Sequence, residues 1–195
     1  MAGARRGPEV SAHKGTLVSV DGVNGAAVAA SARAALGAAV RARRGGISAW
    51  DASGVFEELA VAGEEAGTPS ARTLLLLYAA DLAFRLRWEI RPALAEGRVV
   101  VTAPYVDTAI AFGRAAGLRG GWLNDLFRFA PRPAESRYVD SMTARSVARR
   151  VGFVEFGCQR VAGRARGLTR QQLVERARAH LQVRARRRSG RTPRS

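Results

Sequence analysis

Between Thr16 and Ala30 the chain reads Thr-Leu-Val-Ser-Val-Asp-Gly-Val-Asn-Gly-Ala-Ala-Val-Ala-Ala. An apolar run, two glycines three positions apart and then a stretch of small helix formers is the layout that wraps backbone N–H groups around a phosphate. The chemistry of such a loop needs a Lys to reach the β/γ-phosphates and a Ser or Thr hydroxyl for Mg²⁺. Counted in register from Gly22 and Gly25, those two positions are Val28 and Ala29, which carry neither group. Gly22, Gly25, Val28 and Ala29 therefore read as a vestigial nucleotide-binding loop. Elsewhere the chemistry-bearing residues are sparse. Cys158 is the single cysteine, and the two histidines, His13 and His180, stand far apart. This supplies neither a metal set nor a disulfide, and no catalytic residue, metal or bound cofactor is expected.

The loop needs a strand before it and a helix behind it, and the sequence provides both. Thr16 to Val20 predicts a strand, Ala26 to Arg43 a helix ended by Gly45 and Gly46, and Ile47 to Trp50 a short strand. Asp51-Ala52-Ser53 carries the residue types that cap a helix over 54–62. Thr68-Pro69-Ser70 opens the longest helix, running to Ala95, with Pro69 in its first turn. Arg98 to Thr102 reads as a fully buried strand. Helices are expected over 107–116 and 121–129, and Asp107 is read as the cap of the first. A strand over 137–139, a short helix over 143–150 and a last strand over 159–162 follow. Thr169-Arg170-Gln171-Gln172 is a capping box for a final helix to about Arg187. Strands alternating with helices predict an α/β domain of three layers with a parallel sheet.

Composition bounds the classes. The chain has 195 residues, enough for one domain with a full core. It has no apolar stretch long enough to cross a membrane, and no apolar segment follows Arg5 and Arg6, so a cytoplasmic protein is expected. The formal net charge is +16, and Lys14 is the only lysine. From Arg145 to Ser195 fifteen Arg face Glu155 and Glu175, a net of +13. Arg forks bind phosphate bidentately, so Arg164, Arg166, Arg184, Arg186, Arg187, Arg188 and Arg191 are candidates for holding a polyanion such as DNA or RNA. The same charge at a helix C-terminus also complements the helix dipole.

In order and spacing the pieces resemble the thymidylate kinase family of P-loop nucleoside monophosphate kinases. The resemblance rests on Asp21-Gly22-Val23-Asn24-Gly25, on Leu77-Tyr78-Ala79-Ala80-Asp81 with Ile90-Arg91-Pro92-Ala93-Leu94-Ala95-Glu96-Gly97, and on Val99 to Thr108 with Ala111-Phe112. Trp122 to Leu126 and Pro133 to Asp140 also fall in family order. It implies a thymidylate-kinase-like three-layer sheet, ATP-dependent phosphorylation of dTMP, and a dimer through the long helix. It divides the chain into a basic leader expected to be disordered (1–13), the kinase-like domain (14–183) and an Arg-rich tail (184–195).

Departures from the family pattern fall on charged positions. The Mg²⁺-side Asp corresponds to Ala103, the neighbouring phosphate Arg to Pro104, and the Arg that reads thymine to Leu82. Tyr78 stands at the stacking aromatic, with Tyr105 and Phe112 in the pocket wall. These six residues read as a vestigial substrate pocket, or, for Tyr78 and Phe112, as plain core. The Arg-bearing lid reads as deleted, because too few residues precede a strand at 159–162. The expectation is a pseudoenzyme that acts by binding, on nucleic acid or on a second kinase-like chain. A divergent dTMP kinase of weak or partner-dependent activity and a dimeric scaffold are the alternatives. ATP–Mg²⁺ is at most a weak ligand, held by backbone N–H groups of the loop.

Overall fold

A computed structural model describes residues 15–40, 44–62, 67–141 and 151–189. Strands β1 (Thr16–Gly22), β2 (Gly45–Ala49), β3 (Val99–Ala103) and β4 (Glu135–Val139) form one sheet in the order β2-β3-β1-β4. Every neighbouring pair is parallel, with Thr16 opposite Val99, Val18 opposite Glu135 and Gly45 opposite Val99. All five residues of β3 are buried, as a run of Val-Val-Val-Thr-Ala at the centre of a parallel sheet requires.

Side chains of β1 alternate between two cores. Val18 and Val20 pack with Val99 and Val101 beneath helix α1 (Gly25–Val40), whose Val28, Ala32 and Ala35 complete that layer. Leu17 faces a larger, aromatic core on the other side of the sheet. That core is built with α2 (Val55–Val61), α3 (Ala71–Arg85), α5 (Val106–Ala115), α6 (Gly120–Leu126), α7 (Phe153–Val161) and α8 (Arg170–Ser189). The three-layer parallel α/β architecture is the one expected.

The long helix runs from Ala71 to Ala95, but not as one α-helix. A π-helical turn, Leu86–Ile90, separates α3 from α4 (Arg91–Ala95), and the Arg91 N–H reaches back to the Leu86 carbonyl. Pro92 has no N–H to give and its ring crowds the preceding turn, which the wider π turn accommodates. Its N-cap is Ser70, whose side chain accepts the Thr73 N–H, so Pro69 lies just outside the helix instead of in its first turn. The capping box of α8 forms as expected, with Thr169 N donating to Gln172 Oε1 and Gln172 N to Thr169 Oγ1.

One expected strand is a helix. Residues 159–162 fall at the end of α7, where Phe153, Val154, Gly157, Cys158 and Val161 are buried at helical spacing. The four-stranded sheet has no place for 159–162, and the length argument for a deleted lid loses its premise. The leader 1–13, the helix expected over 143–150, the end of the first helix at 41–43 and Arg191 lie outside the described residues. Residues 184–189 lie in α8, which extends two residues past the helix end expected near Arg187.

Candidate functional site

The loop Gly22-Val23-Asn24-Gly25 joins β1 to α1, and the Gly22 and Gly25 N–H groups and the Asn24 side chain are already engaged. Asn24 caps α1, accepting the Ala27 N–H at Oδ1 over 2.8 Å. The Gly25 N–H donates to Glu155 Oε2 at 3.0 Å, and the Asn24 side chain reaches Glu155 Oε1 at 3.5 Å. Glu155 Oε2 also accepts the Gly152 N–H at 2.9 Å, at the start of α7. The Gly22 N–H donates to Thr108 Oγ1 at 3.1 Å. A Cβ on Gly25 would lie 2.5 Å from Gly152 Cα, so the two backbones touch and only glycine fits at either position. A carboxylate of the protein's own thus sits on the N-terminus of α1, where an anion is favoured by free N–H groups and the helix dipole.

Beside the loop lies a cavity of about 270 Å³ that brings Gly22, Gly25, Val28 and Ala29 together with Ala103 and Pro104. Its remaining walls include Ile47, Trp50 and Phe153, and Arg33 is its one charged lining residue among those described. Among the described residues no carboxylate or hydroxyl side chain lines it, so these residues offer a Mg²⁺–triphosphate no side-chain oxygen for its metal. Among the described residues no group of three or more His, Cys, Asp and Glu could hold a metal anywhere.

The other expected pocket residues lie elsewhere. Tyr78, Leu82 and Phe112 are fully buried and Tyr105 nearly so, and none of the four lines this cavity. The Tyr78 hydroxyl donates to the Tyr105 carbonyl at 3.0 Å, and the Tyr105 hydroxyl to the Pro131 carbonyl at 2.8 Å. Phe153 lies on the Tyr78 ring at 4.4 Å between centroids and meets Phe112 edge-on at 5.3 Å. Trp50 and Phe56 extend the cluster. Of the two readings of Tyr78, slot or plain core, this packing matches the core, because α7 brings the Phe153 ring to that place. Cys158, in the same layer, is inert: burial pushes its thiol up to about 12.

Sequence reasoning missed two buried charged clusters. Arg85 and Asp81 are paired inside the protein, Nε to Oδ2 at 3.0 Å, with both side chains fully inaccessible. Asp81 accepts N–H groups of Asp51 and Ser53 and the Ser53 hydroxyl. Arg85 Nη1 donates to Thr102 Oγ1 at 3.2 Å and to the Ser48 and Pro104 carbonyls at 3.4 Å. The i,i+4 spacing of Asp81 and Arg85 was the available signal.

The second cluster sits under α5. Asp21 Oδ1 accepts the Tyr105 and Thr108 N–H groups and the Thr108 hydroxyl, all within 3.0 Å, while Oδ2 has no hydrogen-bond partner among the described residues. Asp21 therefore caps α5 from a distance, the role expected of Asp107. Burial, with a smaller push from Asp107, drives the Asp21 carboxyl up to about 6 against the pull of those hydrogen bonds. Asp107 instead receives the Tyr138 hydroxyl at 2.5 Å, Arg184 at 2.5 Å and Arg188 at 3.2 Å. Arg178 pairs with Asp140, whose carboxyl it holds below the ordinary range. Of the Arg residues singled out for a polyanion, Arg184 and Arg188 are thus tied to the domain. Arg164, Arg166, Arg186 and Arg187 are exposed.

No protein-family model matches the chain. A probable thymidylate kinase of Pyrococcus horikoshii is 39% identical over 74 residues, 38% of this chain and 36% of that protein. The thymidylate kinase of Symbiobacterium thermophilum is 33% identical over 114 residues, covering 56% of this chain and 53% of its own length. The chain thus spans about a third to a half of the length of these curated relatives. The crystal structure of thymidylate kinase from Ehrlichia chaffeensis superposes with a TM-score of 0.65 at 13% identity, covering 89% of this chain and 84% of that one. The chain is thus similar in sequence to thymidylate kinases over part of its length and shares a thymidylate kinase's fold over most of it.

Proposed function

We propose that this protein is a non-catalytic relative of the thymidylate kinases that acts by binding, and that α7 takes the ground a nucleotide would occupy. The observation that carries this reading is the Glu155 carboxylate on the Gly25 N–H. Val28, Ala29, Ala103 and Pro104 bring no cation or metal ligand to the adjoining cavity. Phosphoryl transfer depends on positioning and electrostatic stabilisation, and each missing donor costs about 10²- to 10³-fold. Such losses do not simply add, but several together leave no useful turnover.

The expected result is no ADP release above background with ATP–Mg²⁺ and dTMP in a coupled assay, and no saturable calorimetric heat for ATP–Mg²⁺. Turnover on the order of 10 s⁻¹ overturns the reading in favour of a divergent dTMP kinase, the activity named for its relatives. Val28→Lys with Ala29→Thr should restore nothing, since Ala103, Pro104 and Glu155 remain.

Pairing with a second copy, or with a related chain, is the binding role with most support. Leu76, Ala80, Phe84 and Trp88 recur every four residues along the long helix and are all exposed, Trp88 at 65%. An exposed apolar stripe of this kind is a common mark of an interface. Sedimentation should show a dimer, and Phe84→Glu with Trp88→Glu should give a folded monomer. A wild-type monomer at micromolar concentration removes pairing with a second copy.

A further inference from the structure

A cavity of about 310 Å³ lies where the end of α5, the turn between α7 and α8, and α8 itself meet. It is lined by Arg114, Gly117, Leu118, Arg166, Arg176 and His180. Three guanidinium groups and an imidazole share this basin, and among the described residues no carboxylate lines it. None of these residues borders the loop cavity. We infer that this basin is an anion site that takes a phosphate group, separate from the nucleotide loop.

Two features show that the cluster is built and not a chance meeting of surface arginines. Arg166 holds a left-handed backbone, φ +56°, a conformation that costs a non-glycine residue energy. Its side chain lies across Gly117, itself at φ +91°, where a Cβ would come within 2.2 Å of Arg166 Nε. Any other residue at 117 would lift the guanidinium out of its seat. Arg114 is tethered too, donating to the Leu118 carbonyl at 3.2 Å. The C-terminal dipole of α5 accounts for Arg114 but not for Arg166 and Arg176, which have no ion-pair partner among the described residues.

Like charges held this close repel unless a counter-ion joins them. The repulsion registers on His180: burial first, then the charges of Arg114 and Arg176, hold its imidazole below the ordinary value. The Arg-rich α8 is thus divided by partner. Arg178, Arg184 and Arg188 serve carboxylates of the domain. Arg176 and His180, one helical turn apart, are left for an outside anion. Planar guanidinium forks match phosphate oxygens bidentately, which selects a phosphate over a halide.

The groups facing His180 are Arg114 from α5, Arg166 from the turn and Arg176 from α8. A bound phosphate should therefore raise the His180 pKa. The test follows the His180 ring protons by NMR in full-length protein carrying His13→Gln, which leaves one imidazole. Pyrophosphate, dTMP and a single-stranded deoxyoligonucleotide are the probes, with sodium chloride at matched ionic strength as reference. We expect a saturable upward movement of the His180 pKa, and at least tenfold weaker binding in Arg166→Gln with Arg176→Gln. Arg128→Gln, an exposed change outside the basin, should leave binding as it is. Binding of pyrophosphate or dTMP identifies a free phosphate ligand. Binding confined to the oligonucleotide, with an affinity falling steeply with salt, identifies a nucleic-acid backbone. A His180 response no larger than that to chloride, or binding unchanged in the double Arg variant, overturns the site.

Discussion

Replacing Arg85 by Ala is expected to destabilise the protein by about 3–5 kcal/mol. The guanidinium is completely inaccessible and ties α3 to the C-terminal ends of β2 and β3, through Ser48, Thr102 and Pro104. Its removal leaves the Asp81 carboxylate buried without a counter-charge and opens a void the size of the side chain. For a domain of this size the loss should lower the melting temperature by on the order of 10 °C. Arg85→Met fills the void but not the charge. Paired with Asp81→Asn, which keeps one acceptor oxygen for the Ser53 N–H and hydroxyl but gives up the acceptor of the Asp51 N–H, it should recover part of the loss. Thermal and denaturant unfolding of the four proteins in this cycle gives the coupling directly. A single Arg85→Ala variant within 1 kcal/mol of wild type would falsify the assignment of the pair as a structural tie.

Asp21 gives the second large effect, and its sign is opposite to that of most carboxylates. Its folded pKa is raised to about 6 from an ordinary 3.8. Between about pH 4 and 6 the folded protein keeps a proton that the unfolded chain has released. Stability contributed by Asp21 therefore falls as pH rises through that window, by up to about 3 kcal/mol. His180 acts the other way: its depressed pKa makes stability fall as pH drops below its unfolded value. The difference between wild type and Asp21→Asn isolates the carboxyl. Asn keeps the acceptor that receives Tyr105 and Thr108 but carries no charge. The variant should match wild type near pH 4 and exceed it near pH 7. Equal stability at both pH values sinks the prediction.

The fold was legible because its signals are local. The buried run Val99 to Thr102, the loop between Val20 and Gly25 and the capping box at Thr169 each declare an element within a few residues. Where the sequence misled, the deciding contact was distant. The stretch 159–162 looked extended in isolation, and it is the end of a helix whose Phe153 packs against the distant Phe112. Asp107 carries the residue type of a cap, yet the cap is Asp21, more than eighty residues earlier. The identity of the loop residues was readable. That Glu155 would settle on Gly25 was not, because no periodicity links positions 130 apart. The same limit hid the basin at His180, whose members come from three separate elements.

The partner of the Gly25 N–H also sets an order of events during synthesis. A chain leaving the ribosome has β1, α1 and β3 available well before Gly152 and Glu155 emerge. Loop closure across such a span is a late and entropically costly step. Until then the N-terminus of α1 and the apolar wall of Val28, Ala29 and Trp50 face the surrounding medium. A nascent chain of about 140 residues thus leaves open the Gly25 N–H that Glu155 occupies in the finished molecule.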